Sequence, residues 1–150
     1  MTEYLKKNKK DKKGKKNKRR NDIMLNWNSG GNLTNVKTNR DYLRYGSITN
    51  TAENSTKIII PKSGTLSNLV VKLVTSDNEN AAPGVGLIRN FTIRKNGEDT
   101  GLIVSVSDDQ TYGSSNVKID VKKFDLISLV HTVNANQSVS AIGIASVLLN

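Results

Sequence analysis

Residues 90–107 read NFTIRKNGEDTGLIVSVS. Along an extended chain successive side chains alternate between two faces, so Phe91 and Ile93 point one way and Thr92 and Arg94 the other. Asn96-Gly97 then marks a hairpin, because both residues tolerate the positive φ that a tight two-residue turn demands. Beyond the turn, Leu102, Val104 and Val106 share one face, with Ile103, Ser105 and Ser107 opposite. The stretch predicts two antiparallel strands, each with one buried face. No window of the chain offers a convincing 3.6-residue apolar stripe with caps, so helices are not expected.

The same grammar extends in both directions. Short runs rich in Val, Ile, Leu and Thr predict strands at Lys57–Ile60, Gly64–Val74, Leu87–Lys95, Thr100–Ser107, Asn116–Val121, Leu126–Val133 and Ser138–Leu149. Polar clusters separate them: Asp77–Gly84 (DNENAAPG), Asp108–Ser115 (DDQTYGSS) and Asn134–Gln137 (NANQ) are predicted loops. Strands at this spacing predict an all-β fold, a sandwich or jelly roll, over residues 56–150.

The N-terminal side has a different composition. Lys6, Lys7, Lys9, Lys10, Lys12, Lys13, Lys15, Lys16, Lys18, Arg19 and Arg20 form a basic run broken by one acid, Asp11. Residues 1–20 hold eleven basic and two acidic side chains, a net +9; the other 130 residues hold twelve against eleven, a net +1. The formal charge of +10 therefore belongs to the arm. Such a segment has no apolar face to bury, and residues 1–22 are expected to be disordered or extended when free. A run of Lys and Arg neutralises phosphates and releases their counterions, so nucleic acid or another polyanion is the expected partner. Twenty extended residues reach up to about 70 Å. No aromatic lies between Lys6 and Arg20, so the arm cannot stack on bases. Residues 23–55 read as an extended or irregular linker, with Ile23–Trp27 and Tyr42, Leu43 and Tyr45 as small apolar groups suited to latching onto the domain or a neighbouring subunit.

Several chemistries find little support. Cysteine is absent, so no disulfide, thiolate metal site or cysteine nucleophile exists. His131 is the sole histidine and has no catalytic partner identifiable by spacing; a structural or exposed role is expected. Asp77, Glu79, Asp108 and Asp109 sit in predicted loops but lack the Asp-x-Asp-x-Asp-Gly calcium pattern. Gly84-Val85-Gly86 is followed by no Lys-Ser/Thr and reads as a strand-entry turn, and no Gly-x-Ser-x-Gly elbow occurs. The four sequons at Asn32, Asn54, Asn90 and Asn136 are what nineteen asparagines produce by chance. No secretory signal follows the basic start, and no apolar run approaches the ~18 residues of a membrane span. The expectation is a non-enzyme without cofactor or metal.

Gly64-Thr65-Leu66-Ser67-Asn68-Leu69, Thr92-Ile93-Arg94-Lys95-Asn96-Gly97, Asp99-Thr100-Gly101-Leu102 and the strand start Asp125-Leu126-Ile127 occur in an order that resembles the C-terminal jelly-roll heads of collagen-like surface proteins. Such heads occur on spore coats, phage fibres and large DNA viruses, and are similar to the tumour-necrosis-factor and complement globular-head fold. The resemblance spans roughly ninety residues and implies a homotrimer. Two features depart from it. Phe124 stands where the family usually has glycine, and the lysine-rich arm stands in place of a collagen stalk.

Together these readings predict a viral structural protein, a capsid or minor virion component. It would self-assemble through a jelly roll, meet other particle proteins, and contact nucleic acid or neighbouring subunits through residues 6–20. The alternative is a trimeric surface-display or receptor-binding head of a spore or phage-like particle, with Asp77–Gly84 and Asp108–Ser115 as contact tips.

Overall fold

A computed structural model describes residues 21–44 and 52–150. The fold is all-β, with two antiparallel five-stranded sheets packed face to face. The strands are β1 (Ile23–Asn28), β2 (Asp41–Leu43), β3 (Ile58–Ile59), β4 (Gly64–Val74), β5 (Gly84–Lys95), β6 (Glu98–Asp108), β7 (Tyr112–Ser115), β8 (Ile119–Val121), β9 (Leu126–Val133) and β10 (Ile142–Leu149). Sheet A runs β1-β10-β4-β7, with β8 also pairing β4; sheet B runs β2-β9-β5-β6, with β3 also pairing β9. Most connections cross between the sheets (β1–β2, β3–β4, β4–β5, β6–β7, β8–β9 and β9–β10), while β5 and β6 form a hairpin within sheet B; the sandwich is of jelly-roll type.

The alternation predicted from residues 90–107 is realised. Phe91, Ile93, Leu102, Val104 and Val106 are buried, and Ile103 and Ser105 are exposed. Asn96 (φ 54°) and Gly97 (φ 89°) make the hairpin turn, with Lys95 paired to Glu98. Sheet A contributes Leu25, Trp27, Leu66, Leu69, Val71, Leu73 and Val147 to the same core.

In β4 the apolar phase breaks between Leu66 and Leu69, both buried, and a bulge explains it. Ser146 pairs with Val70 but Leu148 pairs with Ser67, so β4 carries one extra residue there. Asn68 absorbs it at φ 55°, a left-handed conformation that asparagine accepts more readily than most residues.

The structure adds to and corrects the sequence reading in four places. The stretch 23–55 is not only a connector: β1 pairs with β10 from Ile23↔Leu149 to Asn28↔Ile144, and β2 pairs with β9. Both strands belong to the sheets of the domain whose start was placed at residue 56. Of the latch residues, Leu25, Trp27, Tyr42 and Leu43 are buried within the domain, and Tyr45 lies outside the described residues. The predicted loop Asp108–Ser115 contains β7, which pairs with β4 as an edge strand. The predicted strand Asn116–Val121 shortens to β8.

Candidate functional site

Three features stand out from the sandwich: a buried polar cluster, an open sheet face and a basic end.

The cluster is built where three distant segments meet. In sheet B, Asp41 of β2 pairs with His131 of β9, and His131 pairs with Phe91 of β5. His131 and Arg89 are fully buried. The imidazole Nδ1 lies 3.3 Å from Asp41 Oδ2, and Nε2 lies 3.3 Å from Arg89 Nη1. One proton assignment satisfies both contacts: Nδ1–H donates to the carboxylate, and Nε2 accepts from the guanidinium. That is a neutral imidazole. Burial pulls the His131 pKa below its ordinary value, the hydrogen bond to Asp41 pulls it up, and the Arg89 charge lowers it further. Burial also draws Arg89 down to about 10, with Asp41 acting the other way. Arg89 further donates to Thr34 O (3.1 Å), Asn35 Oδ1 (2.6 Å) and Val139 O (2.7 Å). The backbone N–H of Thr34 donates to Asp41 Oδ2. One guanidinium therefore fastens the loop before β2 and the loop before β10 onto β5. A carboxylate–imidazole–guanidinium row resembles catalytic machinery, but no solvent reaches its imidazole. Its chemistry is structural: two buried charges compensate each other through a neutral bridge.

The outer face of sheet A is the opposite case. Register aligns Asn28, Ile144, Lys72 and Tyr112 in one row across four strands, and Asn26, Ser146, Val70 and Ser114 in the next. Met24 and Leu148 continue the face. Met24, Val70 and Ile144 are 54%, 43% and 40% exposed. Val70 and Ile144 line a groove of ≈ 550 Å³ with Asn26, Asn28 and Lys72. Lys72 is the single charged side chain in these rows; the other polar residues are neutral, short Asn and Ser apart from the exposed Tyr112. A charge-poor surface with exposed aliphatics has the composition of an interface core.

The third feature is the end of the sandwich where residues 1–20 join the domain. There Lys62 Nζ donates to the backbone O of Asn21 (2.6 Å). The β3–β4 loop is stapled to the β8–β9 turn: Phe124 N donates to Ile60 O and Ile60 N to Asp125 O, both at 2.8 Å, and Lys123 N donates to Ser63 Oγ (3.0 Å). Asp125 accepts from Lys122 N (2.8 Å) and Asn96 Nδ2 (2.9 Å). Those two bonds hold its carboxyl below the usual carboxylate range, against a small opposing effect of desolvation and with help from Lys95 and Lys122. Phe124 sits at φ 76° and is 70% exposed, with Lys123 Nζ 4.8 Å from its ring centre. A left-handed backbone costs a non-glycine residue roughly 1–2 kcal/mol, and an exposed ring recovers little of that by burial.

The remaining sequence candidates are dispersed. Lys6 through Arg20 lie outside the described residues. Asp108, at φ 55°, accepts from Gly86 N through Oδ1 (2.8 Å), so this acid and the Gly84-Val85-Gly86 turn form one structural unit. Among the described residues, no group of three or more His, Asp or Glu side chains is placed to hold a metal. No described helix is long and apolar enough to cross a membrane. The sequence reading passed over Asp41 and Arg89 because their link to His131 exists only across strands. It passed over the sheet A face because a face is defined by register, which no single strand encodes.

No family model matches this chain, and no curated protein matches it. Among solved structures, a family 35 carbohydrate-binding module from Clostridium thermocellum is similar over 84% of this chain and 90% of that one, at 14% identity and a TM-score of 0.40. At that level the likeness assigns neither ligand nor activity.

Proposed function

We propose that this chain is a structural protein of a particle, a capsid or minor virion component, built to self-associate. Copies meet through the outer face of sheet A as a TNF-like trimer, and Lys6–Arg20 contact nucleic acid. The observation that carries the reading is the composition of that face: Met24, Val70, Ile144 and Tyr112 exposed among neutral Asn and Ser side chains, with Lys72 as the lone charge in its central rows. Burying such a face removes apolar area from water at roughly 25 cal/mol per Å² while desolvating few charges. The charge distribution supports the second half, because a +9 arm beside a +1 remainder separates polyanion contact from protein contact.

A second reading, a trimeric display or receptor-binding head, is favoured by one observation. The β4–β5 loop and the β6–β7 turn lie together, through Gly84 paired with Asp108, at the end opposite Asn21. Tips placed away from an anchoring arm suit outward display.

Light scattering on the full chain tests self-association. The expected mass is near three times 16.4 kDa, falling to the monomer when Ile144→Asp places a charge at the centre of the face. A monomer at every concentration would overturn the proposal.

A further inference from the structure

We propose that the arm-proximal end of the sandwich is a stacking site for single-stranded nucleic acid, with the Phe124 ring as platform and Lys62, Lys122 and Lys123 as phosphate contacts. The inference deepens the reading that the arm meets nucleic acid, but it stands on the domain's own residues.

Three observations converge. First, an exposed aromatic is held in a left-handed backbone that glycine would adopt without strain. Strain of this kind persists where the surroundings over-determine it, and it collects at binding sites. The surroundings here do so: Phe124 N, Lys123 N and Asp125 Oδ1 are hydrogen-bonded to neighbouring segments, and Asp125 Oδ2 closes the turn by accepting from Lys122 N. The ring is therefore presented on a rigid turn. Second, the charge is correct. Lys122 and Lys123 are exposed, and the Lys123 ammonium lies over the ring. Two carboxylates lie close by, Asp125 bonded as above and Asp120 accepting from Thr65 Oγ (3.1 Å); their donors are neutral, so both keep their charge against the three ammonium groups of Lys62, Lys122 and Lys123. An aromatic flanked by cations is the pairing that holds a base and its phosphates together. Third, the position is correct. Lys62, in the loop stapled to this turn, touches the backbone of Asn21, the residue that follows the basic run in the chain. The arm has no aromatic of its own, and Phe124 supplies what it lacks. An acidic peptide would satisfy the lysines but would leave the ring without a flat partner, and an unpaired base satisfies both.

The test is fluorescence anisotropy of the full chain with a labelled oligothymidine, at a salt concentration where binding is partial. Phe124→Gly removes the platform and relaxes the backbone, so it folds. The expected result is a loss of roughly tenfold in affinity, the low end of stacking one base, with an unchanged dependence on salt, and recovery in Phe124→Tyr. In Phe124→Trp the indole fluorescence should be quenched on binding. Full affinity in Phe124→Gly, with affinity lost only when Lys6–Arg20 are neutralised, would overturn the stacking site and leave the arm reading intact. No binding by the unaltered chain would overturn both. A loss of polyglutamate binding in Phe124→Gly without any loss for oligothymidine would assign the turn to a protein partner and overturn the proposal.

Discussion

His131 Nδ1 lies 3.3 Å from Asp41 Oδ2 inside a sheet, ninety residues apart in sequence and sealed from solvent. The imidazole's other nitrogen faces Arg89 at 3.3 Å. This row ties β2 to the rest of sheet B, and it stays compensated only while the ring is neutral.

Acid should therefore weaken the fold through His131. Its folded pKa lies below the ordinary value of 6.5, so the unfolded chain takes up a proton first as pH falls. Stability is full above about 6.5 and declines below it, until the folded ring also titrates, by up to about 1.4 kcal/mol per pH unit. Asp125 acts in a separate, lower window. Its depressed pKa gives a contribution present above the ordinary 3.8 and lost below it. Denaturant melts between pH 7 and 4.5 should show the first decline in the unaltered protein, and a flat profile in His131→Phe.

Arg89→Met should cost about 3–5 kcal/mol, because it strands Asp41 without its compensating charge and frees four acceptors, His131 Nε2 among them. The loss should be local first. Amide exchange at residues 29–40 and 138–141 should accelerate before exchange in β4, since Thr34, Asn35 and Val139 are the groups Arg89 holds.

Much of the sandwich was legible and its seams were not. β4 and β9 occupy Gly64–Val74 and Leu126–Val133, the predicted spans, because long apolar alternation with polar stops leaves little freedom. β7 was hidden because Tyr-Gly-Ser-Ser carries no apolar period; it exists because β4 offers it an edge. β1 was masked by its asparagines, which point outward while Leu25 and Trp27 enter the core. The candidate sites were less legible still. The arm is a property of composition and reads directly. The Asp41–His131–Arg89 row and the sheet A face depend on which strands become neighbours, and that is decided by topology.

Phe124→Gly should raise stability by about 1–2 kcal/mol, seen as a higher denaturation midpoint, because it removes a left-handed phenylalanine and no buried contact. A lower midpoint would mean that the ring contributes to the fold.

Replacing the eleven basic residues of Lys6–Arg20 by serine in the full chain should flatten the salt dependence of oligonucleotide binding. The unaltered chain should show a slope on the order of −0.7 in log K against log salt for each phosphate contacted. Titration of both chains against a single-stranded oligonucleotide checks this.

The central claim is that sheet A's outer face is covered when copies meet, and matched thiol labelling tests it most directly. The chain has no cysteine, and Val70 on sheet A and Ile103 on sheet B are each 43% exposed in the single chain. In the assembled protein, Val70→Cys should react with a soluble maleimide on the order of tenfold more slowly than Ile103→Cys, the factor that about 1.4 kcal/mol of protection gives. Dilution to monomer should erase that difference. Equal rates for the two cysteines at every concentration would contradict the account.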